Sequence, residues 1–205
     1  MGLFIVFEGC DGSGKSTQAA LFLDMLETKG YPTIMTGEPG GTPFGESLRD
    51  LIKSSNDLDP VSKLLLISSS RTHLVKSIIK PALDSGRTVV CDRFTPSTIA
   101  YQGYGSNIDL QFIDQLNQFA VSNTVPDLVI LLDMPVETSL GRKTERVKDS
   151  FEKENISFHK RVRRGYLEQA KKDPSHWLVL NGTTDKHTLS QLVWQQVSTL
   201  MNTIK

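Results

Sequence analysis

This sequence predicts an α/β domain built on a doubly wound, five-stranded parallel sheet with helices on both faces. Five short apolar runs, Leu3–Phe7, Thr33–Met35, Thr88–Cys91, Leu128–Leu132 and Trp177–Leu180, read as strands, and segments with helical spacing separate them. Polar clusters fall at the carboxyl ends of those runs, at 9–16, 38–42, 92–93 and 133, where sheets of this kind bind ligands. With 205 residues and no linker, repeat or low-complexity stretch, the chain reads as a single domain over 1–205.

The first strand is apolar until Glu8, as a strand covered on both faces must be. Directly behind it, Gly9-Cys10-Asp11-Gly12-Ser13-Gly14-Lys15-Ser16-Thr17 fits the phosphate-cradling pattern G-x-x-x-x-G-K-[ST]. Ala19, Phe22, Leu23 and Leu26 then recur at helical spacing, so strand, glycine loop and helix follow in the order of a P-loop NTPase-type fold. Glycines let backbone N–H groups turn inward on an anion, and the helix starting near Lys15 adds the positive end of its dipole. Lys15 is expected on the β- and γ-phosphates of the bound polyphosphate and the Ser16 hydroxyl on Mg²⁺.

Past the second strand, Glu38-Pro39-Gly40-Gly41-Thr42 sets a carboxylate beside a rigid turn, and Arg49 lies on a helix expected from about Phe44. Alone such a loop is a connection; behind a phosphate loop it is a candidate second-substrate site. Asp59-Pro60 opens a long helical segment from about Val61 to Leu83. Asp92-Arg93 closes the third strand, and the run Ser97-Thr98-Ile99-Ala100-Tyr101-Gln102-Gly103 is rich in groups that hydrogen-bond or stack on a planar ligand. Asp92 can hold Mg²⁺ through water and Arg93 can clamp a phosphate, the competing reading being a local ion pair. Asp133, at the end of the fourth strand, competes with Asp92 for the metal or else organises the loop. Further helices are expected from about Asp109, Val136, Phe151 and Lys186.

Equal numbers of basic and acidic residues, 23 each, leave no global field for nucleic acid or an anionic membrane, so the expected partner is a small molecule. Nine of the 23 basic residues nevertheless lie between Arg142 and Arg164. Lys153, Lys160, Arg163 and Arg164 read as a solvated helix face. Arg142, Lys143 and Arg146 follow the fourth strand and a short helix, where a mobile lid over about 142–150 carries an Arg onto a transferring phosphoryl group.

No apolar stretch approaches the about 20 residues of a membrane helix, and the first run lacks a cationic lead-in, so it is expected to be a strand rather than a signal peptide. Val6 stands where a myristoylation pattern needs Ser or Thr. Two cysteines, Cys10 and Cys91, are too few for a disulfide framework or metal cage and point to a cytoplasmic chain; they read as small buried side chains, with a regulatory disulfide as the alternative.

In this order and spacing, the phosphate loop, Glu38-Pro39-Gly40-Gly41-Thr42, Asp92-Arg93 and Ala100-Tyr101-Gln102-Gly103 resemble the thymidylate kinases over nearly the whole chain. The resemblance implies transfer of the γ-phosphoryl of ATP to dTMP with Mg²⁺, by a homodimer packed through helices. It implies Arg49 and Arg93 on the acceptor phosphate, Glu38 near the reacting groups and Asp11 on the sugar 3′-hydroxyl. Arg71, Ser97, Thr98 and Gln102 would read the thymine edge, and Tyr101 would pack against a sugar lacking a 2′-hydroxyl. One branch of the family carries an Arg inside the phosphate loop; Gly12 occupies that position here, so the catalytic cation is expected from Arg142 or Arg146, as in the branch common in bacteria. Two positions depart from the family pattern: Ile67 replaces a base-stacking Phe, and Asp149-Ser150-Phe151-Glu152 lacks the lid's usual Arg. The alternatives are a broader nucleoside monophosphate kinase and a P-loop switch ATPase.

Overall fold

Phe4 to Phe7 carry no polar side chain, and they form the centre of the sheet as β1 (Phe4–Glu8), buried from end to end. The computed structural model describes residues 2–55, 57–142 and 154–203. After β1 come α1 (Lys15–Thr28), β2 (Thr33–Gly37), α2 (Pro43–Ser54) and α3 (Pro60–Leu74), then a π-helical turn (Val75–Ile79), α4 (Lys80–Asp84) and β3 (Thr88–Asp92). The second half runs through α5 (Thr95–Thr98), a second π-helical turn (Ile99–Gly105), α6 (Leu110–Val121), β4 (Leu128–Asp133), α7 (Val136–Gly141), α8 (Ile156–Lys172), β5 (Trp177–Asn181) and α9 (Lys186–Thr203).

The five strands are parallel in the order β2-β3-β1-β4-β5, the doubly wound sheet expected from the sequence. Successive side chains of a strand point to opposite faces. Ile5 and Phe7 accordingly join Ala19, Phe22 and Leu26 of α1 and Leu189, Val193 and Val197 of α9 in one core. Phe4 and Val6 join Leu74, Val75, Ile79 and Leu83 in the other. The chain leaves β1 for β2 on one side and reaches β4 on the other, so loops from several strands converge at the carboxyl end of β1.

Local chemistry sets the boundaries. Thr42 caps α2 by accepting from Gly45 N at 3.0 Å, and the Asp59 carboxylate caps α3 by accepting from Val61 N at 2.9 Å; each is followed by Pro at the first helical position, where the missing N–H costs nothing. The segment expected as one helix to Leu83 is interrupted by the π-helical turn Val75–Ile79. Pro81, which cannot donate and whose ring crowds the carbonyl four residues back, follows that widened turn. The last basic helix starts at Ile156 rather than near Phe151, because Asn155 accepts from Phe158 N at 2.9 Å and caps it there. Among the described residues no helix is long and apolar enough to cross a membrane.

Cys10 and Cys91 are free and buried, and they belong to different core clusters although β1 and β3 are neighbours. Burial, with the adjacent Asp11 charge, pushes the Cys10 thiol up to about 12, and burial pushes Cys91 well above its ordinary value. Neither forms thiolate at neutral pH. We expect neither thiol to react with a disulfide reagent in the folded protein at pH 7–8 and both to react once it is denatured; rapid titration of one thiol in the native state would contradict this.

Candidate active site

The phosphate loop turns on glycines with left-handed backbones, φ being +147° at Gly9, +83° at Gly12 and +93° at Gly14. At Gly12 a Cβ would stand 2.2 Å from the carbonyl oxygen of Ser139, so α7 lies directly against the loop. The Ser139 hydroxyl donates to the Asp11 carbonyl and fastens the two together. Gly14 caps α1 with no side-chain hydrogen bond, leaving the first-turn N–H groups to the loop's concavity, an arrangement suited to an anion. Lys15 is buried, with Nζ 3.8 Å from Oδ1 of Asp11.

The parallel register of β1 and β3 sets Asp92 beside Phe7. Ser16 Oγ donates to Oδ2 of Asp92, whereas Oδ1 is buried without a hydrogen-bond partner. A hydroxyl touching a carboxylate that has an unused buried oxygen is a donor set suited to a hard cation such as Mg²⁺. Asp133 differs: Arg163 of α8 grips both of its oxygens, Nε at 2.7 Å and Nη2 at 2.8 Å. Its carboxylate ties α8 to the end of β4. The solvated-face reading of Arg163 is therefore corrected, because Asp133 lies under that helix; Lys160, more than half exposed, pairs with Glu137 at 2.9 Å on the same face.

Arg93 ends β3 with a left-handed backbone, φ +73°, and its guanidinium is the hub of the site. Nη2 donates to Oδ1 of Asp11 at 2.7 Å and to the Tyr101 hydroxyl at 3.2 Å; Nη1 donates to Ser97 Oγ at 3.0 Å and the Tyr166 hydroxyl at 3.1 Å. Its planar head lies over the Tyr101 ring, 5.0 Å from the centroid, and Tyr101 donates to Oδ2 of Asp11 at 2.7 Å. Behind Ser97 and Tyr166 stands Glu8, 0% exposed. Burial pushes its carboxyl above the ordinary value, against the pull of the Arg93 charge. Burial also holds the Tyr101 and Tyr166 hydroxyls well above theirs, so both remain protonated donors.

A second buried cluster sits beside the first. Arg71, 1% exposed, donates from Nε at 2.8 Å and from Nη2 at 2.5 Å to Oε2 of Glu38, from Nη1 to Asn117 Oδ1 at 2.7 Å, and from Nη2 to Thr98 Oγ1 at 2.8 Å. Burial raises the Glu38 carboxyl, and Arg71 works against that shift. Arg49 on α2 donates to the Pro39 carbonyl at 3.2 Å, which brings it to the same loop. Ile67 is buried one turn before Arg71 on α3, and Gln102 is buried in the π-helical turn Ile99–Gly105. α8 braces that turn: Arg161 Nη2 donates to the Gly105 carbonyl at 2.6 Å, and Gly165 admits the Tyr104 ring, which a Cβ would meet at 2.8 Å.

The structure thus gathers Asp11, Arg93, Tyr101 and Lys15 at the loop, Ser16 with Asp92 beside them, and Glu38, Arg71 and Thr98 next door. Ser97 stands in the Glu8 cluster and makes no bond to Arg71. Arg142 ends α7 and donates to the Gly182 carbonyl at 3.2 Å; Lys143, Arg146 and the segment Asp149 to Glu152 lie outside the described residues. Glu8, Tyr166 and Asn117 enter the site without a motif to announce them. Glu8 carries the one available signal, a carboxylate closing a strand that must be covered on both faces.

A family model described as thymidylate kinase matches residues 7–193. The chain belongs to the thymidylate kinase family. Thymidylate kinase of Kosmotoga olearia is 42% identical over 193 residues, covering 93% of each chain, and that of Dehalococcoides mccartyi is 41% identical over 203 residues, covering 98% of each. A crystal structure of thymidylate kinase from Ehrlichia chaffeensis superposes with a TM-score of 0.77 at 37% identity, covering 96% of this chain and 98% of that one. The activity is thymidylate kinase activity: ATP-dependent phosphorylation of dTMP.

The Arg71–Glu38 pair is buried on both sides, so removing one partner strands the other's charge. Arg71→Met is expected to lower stability by about 3–5 kcal/mol in urea unfolding, whereas a loss below about 1 kcal/mol would deny the pair its anchoring role.

Proposed function

We propose the following division of labour for moving the γ-phosphoryl of ATP to dTMP. The glycine loop 9–14 with Ser16, Thr17 and the α1 N-terminus takes the ATP phosphates, and Lys15 follows charge onto the β- and γ-positions. Ser16 and Asp92 would hold Mg²⁺, which would supply neutralisation of the phosphate charge. Arg93 and Arg49 grip the acceptor phosphate, Asp11 takes the sugar 3′-hydroxyl and Tyr101 packs against the sugar. Glu38 lies near the reacting groups. Arg71, Ser97, Thr98 and Gln102 read the base edge: a guanidinium has five N–H donors, and Glu38, Asn117 and Thr98 take four of them, leaving one Nη1 proton for a carbonyl on that edge.

The observation that carries this reading is the convergence of Lys15, Asp11 and Arg93 within hydrogen-bond or ion-pair reach, with a carboxylate oxygen of Asp92 unused beside Ser16. Such a site needs little covalent chemistry; it holds two substrates in line and offsets charge spreading over the moving group. Arg142 and Arg146, in a lid over about 142–150 of a single domain spanning 1–205, supply the remaining cation. Lys15→Ala and Arg93→Ala are each expected to lower kcat/KM for dTMP by at least about a hundredfold, and Arg146→Ala to lower kcat more than the dTMP KM. Coupled ADP-release assays across thymidine, deoxyuridine, cytidine and guanosine monophosphates provide the check; near-normal turnover of either first variant, or no preference for dTMP, would defeat the reading.

The working form is a homodimer in the cytoplasm. Two free buried thiols suit a reducing compartment. α3 packs against both α2 and α6, and these helices leave Phe44, Leu51, Val61, Leu65, Phe112 and Phe119 exposed, the last by 80%. Large exposed apolar side chains on adjacent helices mark a surface that a second copy covers. Sedimentation at micromolar concentration should give twice the chain mass, and Leu65→Glu should return the monomer; a monomeric unmodified protein would refute the dimer.

A further inference from the structure

Glu8 is a buried charge that the division of labour above leaves without a task. Its Oε1 accepts from the backbone N–H groups of Phe94 at 2.8 Å and Ser97 at 3.2 Å; its Oε2 accepts from the Ser97 hydroxyl at 2.7 Å and the Tyr166 hydroxyl at 2.9 Å. A hydroxyl has one proton, and once it is given to Glu8 only lone pairs remain for other neighbours. Nη1 of Arg93 donates to both of those oxygens, 3.0 and 3.1 Å away, and so bridges two hydroxyls that stand 2.8 Å apart. The other half of the guanidinium repeats the pattern, since Tyr101 gives its proton to Asp11 and accepts from Nη2.

We propose that Glu8 and Tyr166 are positioning residues for Arg93: Glu8 takes the protons of Ser97 and Tyr166, turns their lone pairs toward Nη1 and thereby fixes the guanidinium for the acceptor phosphate. The backbone supports this. Arg93 has φ +73°, a conformation a non-glycine residue keeps only where its surroundings hold it, and its N–H is tied to the Phe7 carbonyl at 3.0 Å, next to Glu8. The proposal rests on the reading that Arg93 grips that phosphate.

The test is steady-state kinetics of Tyr166→Phe and Glu8→Gln, with Arg93→Ala, the Tyr166→Phe/Arg93→Ala double variant and melting curves as fold controls. Tyr166→Phe keeps the ring and removes only the hydroxyl, so it serves even where Glu8→Gln fails to fold. It is expected to raise the dTMP KM by about tenfold while the ATP KM moves by less than about twofold. In the Arg93→Ala background the same substitution should add nothing, because its only route to the substrate is gone. A folded Tyr166→Phe enzyme with both KM values shifted equally, or with its full effect surviving the loss of Arg93, overturns the proposal. An impaired Arg93→Ala beside an unimpaired Tyr166→Phe removes the positioning role alone, whereas Arg93→Ala with unchanged acceptor kinetics removes the role of Arg93 and the proposal with it.

Discussion

An ionised side chain placed against a sheet that is apolar on both faces loses its water, and the loss is tolerable only if protein groups replace most of its hydration contacts. The carboxyl end of β1 meets that condition twice over. Glu8, Asp11 and Arg93 share three hydroxyls, and Glu38 and Arg71 share Asn117 and Thr98. Opposite charges are distributed so that each guanidinium faces a carboxylate directly. The parallel register of β1 with β3 brings Asp92 and Arg93 to the phosphate loop, and α8 closes the group from outside through Tyr166. The rest of the site follows from satisfying these charges, because moving either member of the Arg71–Glu38 pair leaves the other buried and unpaired.

The fold was legible because its signals are local. Each strand is a short apolar run, and Thr42-Pro43 and Asp59-Pro60 mark helix starts by chemistry confined to three or four residues. The phosphate loop is legible for the same reason. In the sequence Glu8 is only the end of an apolar run, since its partners lie 86 to 158 positions away. Arg163 looked like one cation in a solvated run because Asp133 is 30 residues upstream, across α7 and the lid segment. Asn117 sits inside an ordinary amphipathic helix and acquires meaning only when α3 packs on α6 and delivers Arg71. Ser97 gains contacts that its sequence neighbourhood does not announce, since the fold sets it between Glu8 and Arg93.

α8 links parts of the protein that are distant in the chain. Along one helix, Arg161 holds the π-helical turn carrying Tyr101 and Gln102, Arg163 holds the end of β4, and Tyr166 reaches Arg93. The segment that precedes this helix is the basic stretch expected to form the lid, and the helix itself reaches Arg93. Movement of α8 as a rigid body would be felt at Arg93, at the Ile99–Gly105 turn and at the end of β4 together.

The close approach of α7 limits what the phosphate loop can carry. A side chain at position 12 would collide with the Ser139 carbonyl, and that carbonyl belongs to a helix whose own hydroxyl is fastened to Asp11. A loop arginine of the kind carried by the other branch of the family therefore cannot be acquired here by exchanging one residue; α7 must first withdraw. Position 12 and the placement of α7 are thus coupled: the helix can lie this close only because the loop carries no side chain there.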